Sequence, residues 1–112
     1  MKKCLFLLIT LSTVCAGQDF SEGLTVVEFN ASFNKVNEVS WLSKLTDCEV
    51  HRVDITTDSK WASQYKIVVV PTLVVFNNNE EAKRFQANIM MTMEATKEDL
   101  QDAIDEIIME AF

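Results

Sequence analysis

Cysteine, histidine and basic residues are all scarce in this 112-residue sequence, and each shortage narrows what the chain can do. There are three cysteines and one histidine. His51 has no Cys or His neighbour at ligand spacing, so a metal centre built on it is not expected. Ten Lys and Arg stand against 17 Asp and Glu, a net charge of −7. The basic footprint that a phosphate backbone requires is missing, so no nucleic acid partner is expected. The acidic residues near the C-terminus lack the loop of spaced oxygen ligands that calcium needs, and no cofactor is expected. The length allows one domain at most, and 48% hydrophobic with 24% charged residues is the composition of a folded globular chain.

A long apolar run is also missing. Lys2 and Lys3 are followed by an apolar stretch from Cys4 to Val14, broken by Thr10, Ser12 and Thr13, and then by the small residues Ala16 and Gly17. This is the layout of a secretory signal peptide. The stretch is well short of the ~20 residues needed to cross hydrocarbon as a helix. We therefore read residues 1–16 as a signal peptide, cleaved after Ala16 or Gly17, and residues 17–112 as the exported domain, periplasmic or secreted. A lipid anchor on Cys15 is the poorer reading, because Val14 is bulky where a small residue should precede a lipidated cysteine. Without residues 1–16 the chain keeps 8 basic and 17 acidic residues, a net of −9, and a single thiol, Cys48.

Hydrophobic periodicity orders the remaining chain as β-α-β-α-β-β-α. Leu24 to Phe29 reads as a strand buried on both faces. Phe33, Val36, Val39, Leu42 and Leu45 repeat every three residues, which predicts a helix over 33–45. Cys48 to Ile55 is a second strand, and Thr57 and Asp58 can cap a short helix containing Trp61, Ala62 and Tyr65. Ile67 to Phe76 is almost wholly apolar around Pro71. Asn77 to Glu80 is a turn, because Asn tolerates the left-handed conformations of tight hairpins, and Glu81 to Ala87 is the return strand. Thr96 with Asp99 signals a capping box ahead of a stripe of Leu100, Ala103, Ile104, Ile107, Ile108 and Ala111. The first two strands should be parallel and the last two antiparallel, giving an α/β domain with a four-stranded mixed sheet flanked by helices.

Two stretches within this order, VVEFNASFNKVN from Val26 to Asn37 and VPTLVVF from Val70 to Phe76, resemble thioredoxin. The first is closer to the protein disulfide isomerase version. The resemblance implies a minimal thioredoxin-like fold, with the Cys48 to Ile55 strand as an uncovered sheet edge. It aligns Glu28 with the family's acidic strand residue, and Phe29, Ala31 and Phe33 with its aromatic, alanine and second aromatic. The positions of the Cys-x-x-Cys pair then fall on Asn34 and Asn37. Disulfide exchange needs a thiolate nucleophile and a second, resolving thiol, and asparagine supplies neither. Pro71 matches the family's cis proline, whose preceding backbone groups pair with bound polypeptide. Arg52 matches a basic residue near the family's acid.

Several residues carry competing readings. Glu28 in an apolar strand needs a partner, and a pair with Arg52 across adjacent strands is expected. Asn34 and Asn37 read either as helix-start residues or as polar contacts for a bound peptide. Asn30, Ala31 and Ser32 spell a glycosylation sequon, placed at the end of a buried strand where its use is not expected. Asp47 and Glu49 beside Cys48 disfavour its thiolate, so a buried structural thiol is the main reading. Ile89, Met90, Met91 and Met93 form either an adaptable binding surface or packing against the sheet.

The expected function is binding of a polypeptide, without dithiol redox activity, through a groove formed by Phe33, Lys35, Val36, Val70, Pro71 and Thr72 with Asn34 and Asn37, extended by the Met90 to Met93 loop. Catalysis by this domain is not expected. The alternatives are a monothiol redox protein acting through Cys48, a divergent member of a thiol-disulfide oxidoreductase system, and a structural subunit. A homodimer through the Cys48 to Ile55 edge is a weaker expectation.

Overall fold

The computed structural model of the protein describes residue 20 and residues 22–58 and 60–111. The expected signal segment at 1–16, with Cys4 and Cys15, lies outside the described residues. Four strands, β1 (Leu24–Asn30), β2 (Glu49–Asp54), β3 (Thr72–Asn77) and β4 (Glu80–Gln86), form one sheet in the order β2-β1-β3-β4. β1 runs parallel to β2 and antiparallel to β3, and β3 is antiparallel to β4. This is the mixed sheet expected from the sequence, with β2 at one edge among the described residues.

The two central strands are apolar on both faces because both faces are covered. Side chains alternate across a strand, so Val27 and Phe29 of β1 join Val74 and Phe76 of β3 in one cluster, with Phe20, Ile67 and Val70. The short helix α1 (Lys60–Tyr65) covers that side through Trp61, Ala62 and Tyr65. Val26, Leu73 and Val75 point the other way, against Val39, Leu42 and Leu45 and against Leu100 and Ile104 of the helix α2 (Lys97–Glu110).

Local chemistry sets the boundaries. Asn78 and Asn79 take the positive φ of 53° and 69° that a two-residue hairpin needs. Their side chains also accept hydrogen bonds from Gly23 N (2.8 Å) and Phe20 N (3.1 Å), tying the entry of β1 to the hairpin. The Asp58 carboxylate accepts from Lys60 N at the start of α1. At its end, Arg84 of β4 donates to the carbonyls of Tyr65 and Lys66. Thr96 and Asp99 form the reciprocal capping box of α2.

The segment 33–45 departs from expectation. In place of one helix there are two 3-10 pieces, Ser32–Asn37 and Leu42–Lys44. A strict three-residue repeat is the period of a 3-10 helix; on an α-helix each step of three falls about 60° short of a full turn. The stripe therefore splits. Val39, Leu42 and Leu45 are buried, whereas Phe33 and Val36 face solvent.

Among the described residues, Thr25 Oγ1 is the one buried side-chain oxygen without a hydrogen-bond partner. A buried hydroxyl left unbonded is destabilising. Thr25→Val, which removes the hydroxyl at nearly the same shape, should raise the unfolding free energy by about 1 kcal/mol, measured by urea denaturation. A loss of stability would mean that the hydroxyl is bonded.

Candidate functional site

The buried strand β1 carries one carboxylate, and its surroundings are built to hold it. Glu28 is 1% exposed and lies directly across from Arg52 in the parallel β1–β2 register. Arg52 Nη1 donates to Glu28 Oε1. Val39 N donates to Glu28 Oε2 at 2.8 Å, and Arg52 Nη2 donates to Val39 O at 2.8 Å. Carboxylate, guanidinium and the backbone N–H and C=O of one residue, Val39, thus close a ring, and the expected Glu28–Arg52 pair is present. The ring also accounts for the missing helix. Both polar groups of the Val39 backbone are turned to Glu28 and Arg52, so Val39 cannot enter an α-helical ladder. Burial pushes the Glu28 carboxyl above its ordinary pKa, while Val39 N–H and Arg52 pull it back and the nearby Glu38 adds to the rise.

Beside this ring a polar pocket of ≈ 220 Å³ is lined by residues that include Glu28, Ser32, Lys35, Glu38, Arg52 and Asp54. Its charges are paired: Lys35 lies 3.3 Å from Glu38, and Asp54 accepts from the Ser32 and Thr56 hydroxyls and from Thr56 N. The Ser32 and Thr56 bonds hold the Asp54 carboxyl below its usual range. They also pin the start of the Ser32–Asn37 piece to the end of β2.

Asn34 and Asn37 meet side chain to side chain. Asn37 Nδ2 donates to Asn34 Oδ1 at 2.8 Å. Asn34 is 2% exposed, and its Nδ2 faces Asn30 Oδ1 (3.1 Å), Val70 O (3.4 Å) and Met91 O (3.1 Å). Neither sequence reading of Asn34 describes this arrangement. The N-cap position of the 3-10 piece is Ala31, without a side-chain cap, and Asn34 sits inside the piece with non-helical φ and ψ of −114° and 20°. Its carboxamide turns inward, because the chain of carbonyl oxygens behind it needs a donor. Asn30 Nδ2, the acceptor atom of the sequon, donates to Asn34 O.

The Val70–Pro71 peptide is cis. Val70, Pro71 and Thr72 are all buried, with Thr72 Oγ1 donating to Val69 O and Ala87 N to Pro71 O. Of the residues expected to form a groove, Asn34, Val70, Pro71 and Thr72 are buried, Phe33, Lys35 and Val36 stand on the surface and Asn37 is half-buried; only Phe33 and Val70 among them line the cleft found at this end of the sheet. A cleft of ≈ 270 Å³ opens here, lined by Phe33, Ile55, Ile67 and Val68 to Val70 on one side and Asn88, Ile89 and Met91 on the other. Its lining holds no charged side chain. Phe33, Val36, Val68, Ile89 and Met90 are 71–97% exposed. Val68 went unnoticed in the sequence, because it lies within the almost wholly apolar run Ile67 to Phe76. Met93 packs against the core on the α2 side, so the methionine loop divides between surface and packing.

Cys48 belongs to a different region. The register pairs Thr25 with Glu49 and Asn30 with Asp54, which places Cys48 at the opposite end of the sheet from Asn34. It is half-buried, and burial together with the Asp47 carboxylate pushes its thiol pKa up. Among the described residues it is the sole free cysteine. His51 leans on the ring of Phe20, with the Glu49 carboxylate 3.6 Å away.

Comparison with known proteins adds the family. The thioredoxin family profile matches residues 18–106. No match was found among curated proteins. Among solved structures the chain is similar to a point-mutant thioredoxin from Halobacterium salinarum NRC-1, at 24% identity and TM-score 0.61, with 76% of this chain and 74% of that chain covered. It is similar to Schistosoma mansoni thioredoxin at 22% identity and TM-score 0.60, covering 87% and 86%. A thioredoxin from Nicotiana alata aligns at 22% identity and TM-score 0.58, covering 89% and 84%. At these identities the structural likeness is one of fold.

The ring around Glu28 makes a pH-dependent prediction. In Arg52→Met the buried carboxylate keeps Val39 N–H but loses its counter-charge, which should cost about 3 kcal/mol at pH 7. Its pKa in the folded state then rises further above that in the unfolded chain. Stability tied to the protonated group is present at low pH and lost as pH rises through the folded-state value. The gap between wild type and variant should therefore shrink as pH falls from 7 towards 4 in urea titrations. A gap constant over that range would rule out the ion pair.

Proposed function

The chain belongs to the thioredoxin family, and we propose that it is an exported member without dithiol redox activity that binds polypeptide at the end of the sheet where Asn34 and Asn37 replace the reactive cysteines. Export rests on the basic, apolar and small-residue layout of residues 1–16. Loss of thiol chemistry rests on residue type, since a carboxamide can neither attack a disulfide nor resolve a mixed one.

One observation carries the binding reading: Phe33, Val68, Ile89 and Met91 line a single uncharged cleft, with Val36 and Met90 beside them on the same two segments. Large apolar side chains held in water around a concavity are the mark of an interaction site, whereas scattered ones are ordinary. A cleft of this size accommodates a few side chains of an extended segment, against Val68 to Val70 just before Pro71.

The monothiol reading through Cys48 has less support. A thiolate is the reactive form, and both burial and Asp47 disfavour it. Slow modification of Cys48 in the native protein and fast modification in denaturant is the outcome expected of a structural thiol.

The direct test is an NMR titration of the protein with an alkylated, permanently unfolded polypeptide as probe. Shift changes should be confined to residues 33–37, 67–70 and 88–92, and the double variant Phe33→Asp, Ile89→Asp should bind at least about tenfold more weakly. In parallel, insulin disulfides should be reduced no faster than in buffer with reductant alone. Binding unaffected by the double variant would overturn the proposed surface, and turnover of insulin would overturn the redox-inactive assignment.

A further inference from the structure

The loop that follows β4 is highly bonded for a segment with so exposed a tip. Asn88 Oδ1 accepts from Met90 N (2.9 Å), Thr92 N (3.1 Å) and the Thr92 hydroxyl (3.1 Å), and Asn88 Nδ2 donates to Glu94 (2.9 Å). Backbone bonds from Asn88 N to Thr92 O and from Met91 N to Asn88 O close it further. These bonds fold the loop on itself but do not orient it against the sheet. Ala87 N to Pro71 O holds its base, and among the described residues its apex is tied to the sheet end by Asn34 Nδ2 to Met91 O, across 57 residues of sequence. Met91 takes a left-handed φ of 62°, a conformation that a non-glycine residue keeps only where its surroundings hold it.

We infer that Asn34 is a positioning residue whose carboxamide fastens the 88–92 loop to the end of β1 and to the segment before Pro71, so that Ile89 and Met90 are presented on a preformed apolar knuckle. The chemistry requires an amide. Asn34 Oδ1 is taken by Asn37, which fixes the orientation of the group, since the flipped amide would set its oxygen against the carbonyl oxygens of Val70 and Met91. Nδ2 then shares its two protons among Asn30, Val70 and Met91, joining the end of β1, the segment before Pro71 and the loop at one point. A thiol, with one weak donor, cannot make this junction. The replacement of the family's first cysteine by asparagine thus exchanges reactivity for a structural tie, and the pair Asn34–Asn37 acts as a unit. Preorganisation of this kind lowers the ordering cost that a partner must overcome.

The inference concerns the free protein and is tested without a partner, by amide hydrogen exchange of the full chain followed by NMR. In Asn34→Ala the amides of Met90, Met91 and Thr92 should exchange about tenfold faster while those of β1 and β3 stay unchanged. Asn37→Ala, a change at a half-buried position, should raise exchange in the same three amides by about threefold through loss of the orienting donor. If Asn34→Ala does not fold, the second variant decides alone. Unchanged loop exchange, or a rise spread evenly through the sheet, overturns the inference. Because the readout involves no ligand, its failure leaves the polypeptide-binding proposal to its own titration.

Discussion

Two polar side chains, Glu28 and Asn34, are sealed beneath one end of the sheet, and the segments around them are arranged so that each finds partners without water. A buried carboxylate is costly unless its oxygens are bonded and its charge is met. Arg52, placed opposite by the parallel register, and the Val39 peptide satisfy Glu28. The consequence reaches beyond the pair. The backbone of residues 38–45 gives up helical bonding to serve the ring, and it then runs across the sheet as a 3-10 turn and extended links that bury Val39, Leu42 and Leu45. The same demand shapes the far side of the Ser32–Asn37 piece, where the Asn34 amide meets three oxygens.

The surface follows from where charge is allowed. Glu98, Asp102, Asp105, Glu106 and Glu110 occupy the outer face of α2, away from the cleft. The residues lining the cleft carry no charge, although the chain has an excess of acidic residues. The chain is thus acidic on one face and apolar at the sheet end. Cys48, just before the start of β2, lies a strand's length from Asn34 and Asn37.

Much of the fold was legible because its signals are local. The nearly continuous apolar run of β1, the Asn77 to Glu80 turn and the Thr96–Asp99 box each depend on a few neighbouring residues, and each is present as read. The run 33–45 was not, since the period of its apolar residues was legible but the partner of the Val39 backbone was not. The cleft was half legible. Phe33 and the methionine loop stood out, but the burial of Val70, Pro71 and Thr72 and the exposure of Val68 depend on how the loop after β4 closes over the segment before β3.

Residue type and order alone determined the strand sequence, the mixed parallel and antiparallel sheet, the need of Glu28 for a cation and the absence of a thiol pair at positions 34 and 37. These follow from side-chain chemistry and short-range periodicity. The tertiary structure decided that Asn34 turns inward, that its Oδ1 accepts from Asn37, and that the carbonyl of Met91, 57 residues away, accepts a hydrogen bond from its Nδ2. A carboxamide is donor and acceptor at once, and which surface it serves is set by the oxygens that long-range folding brings within 3 to 3.5 Å of it.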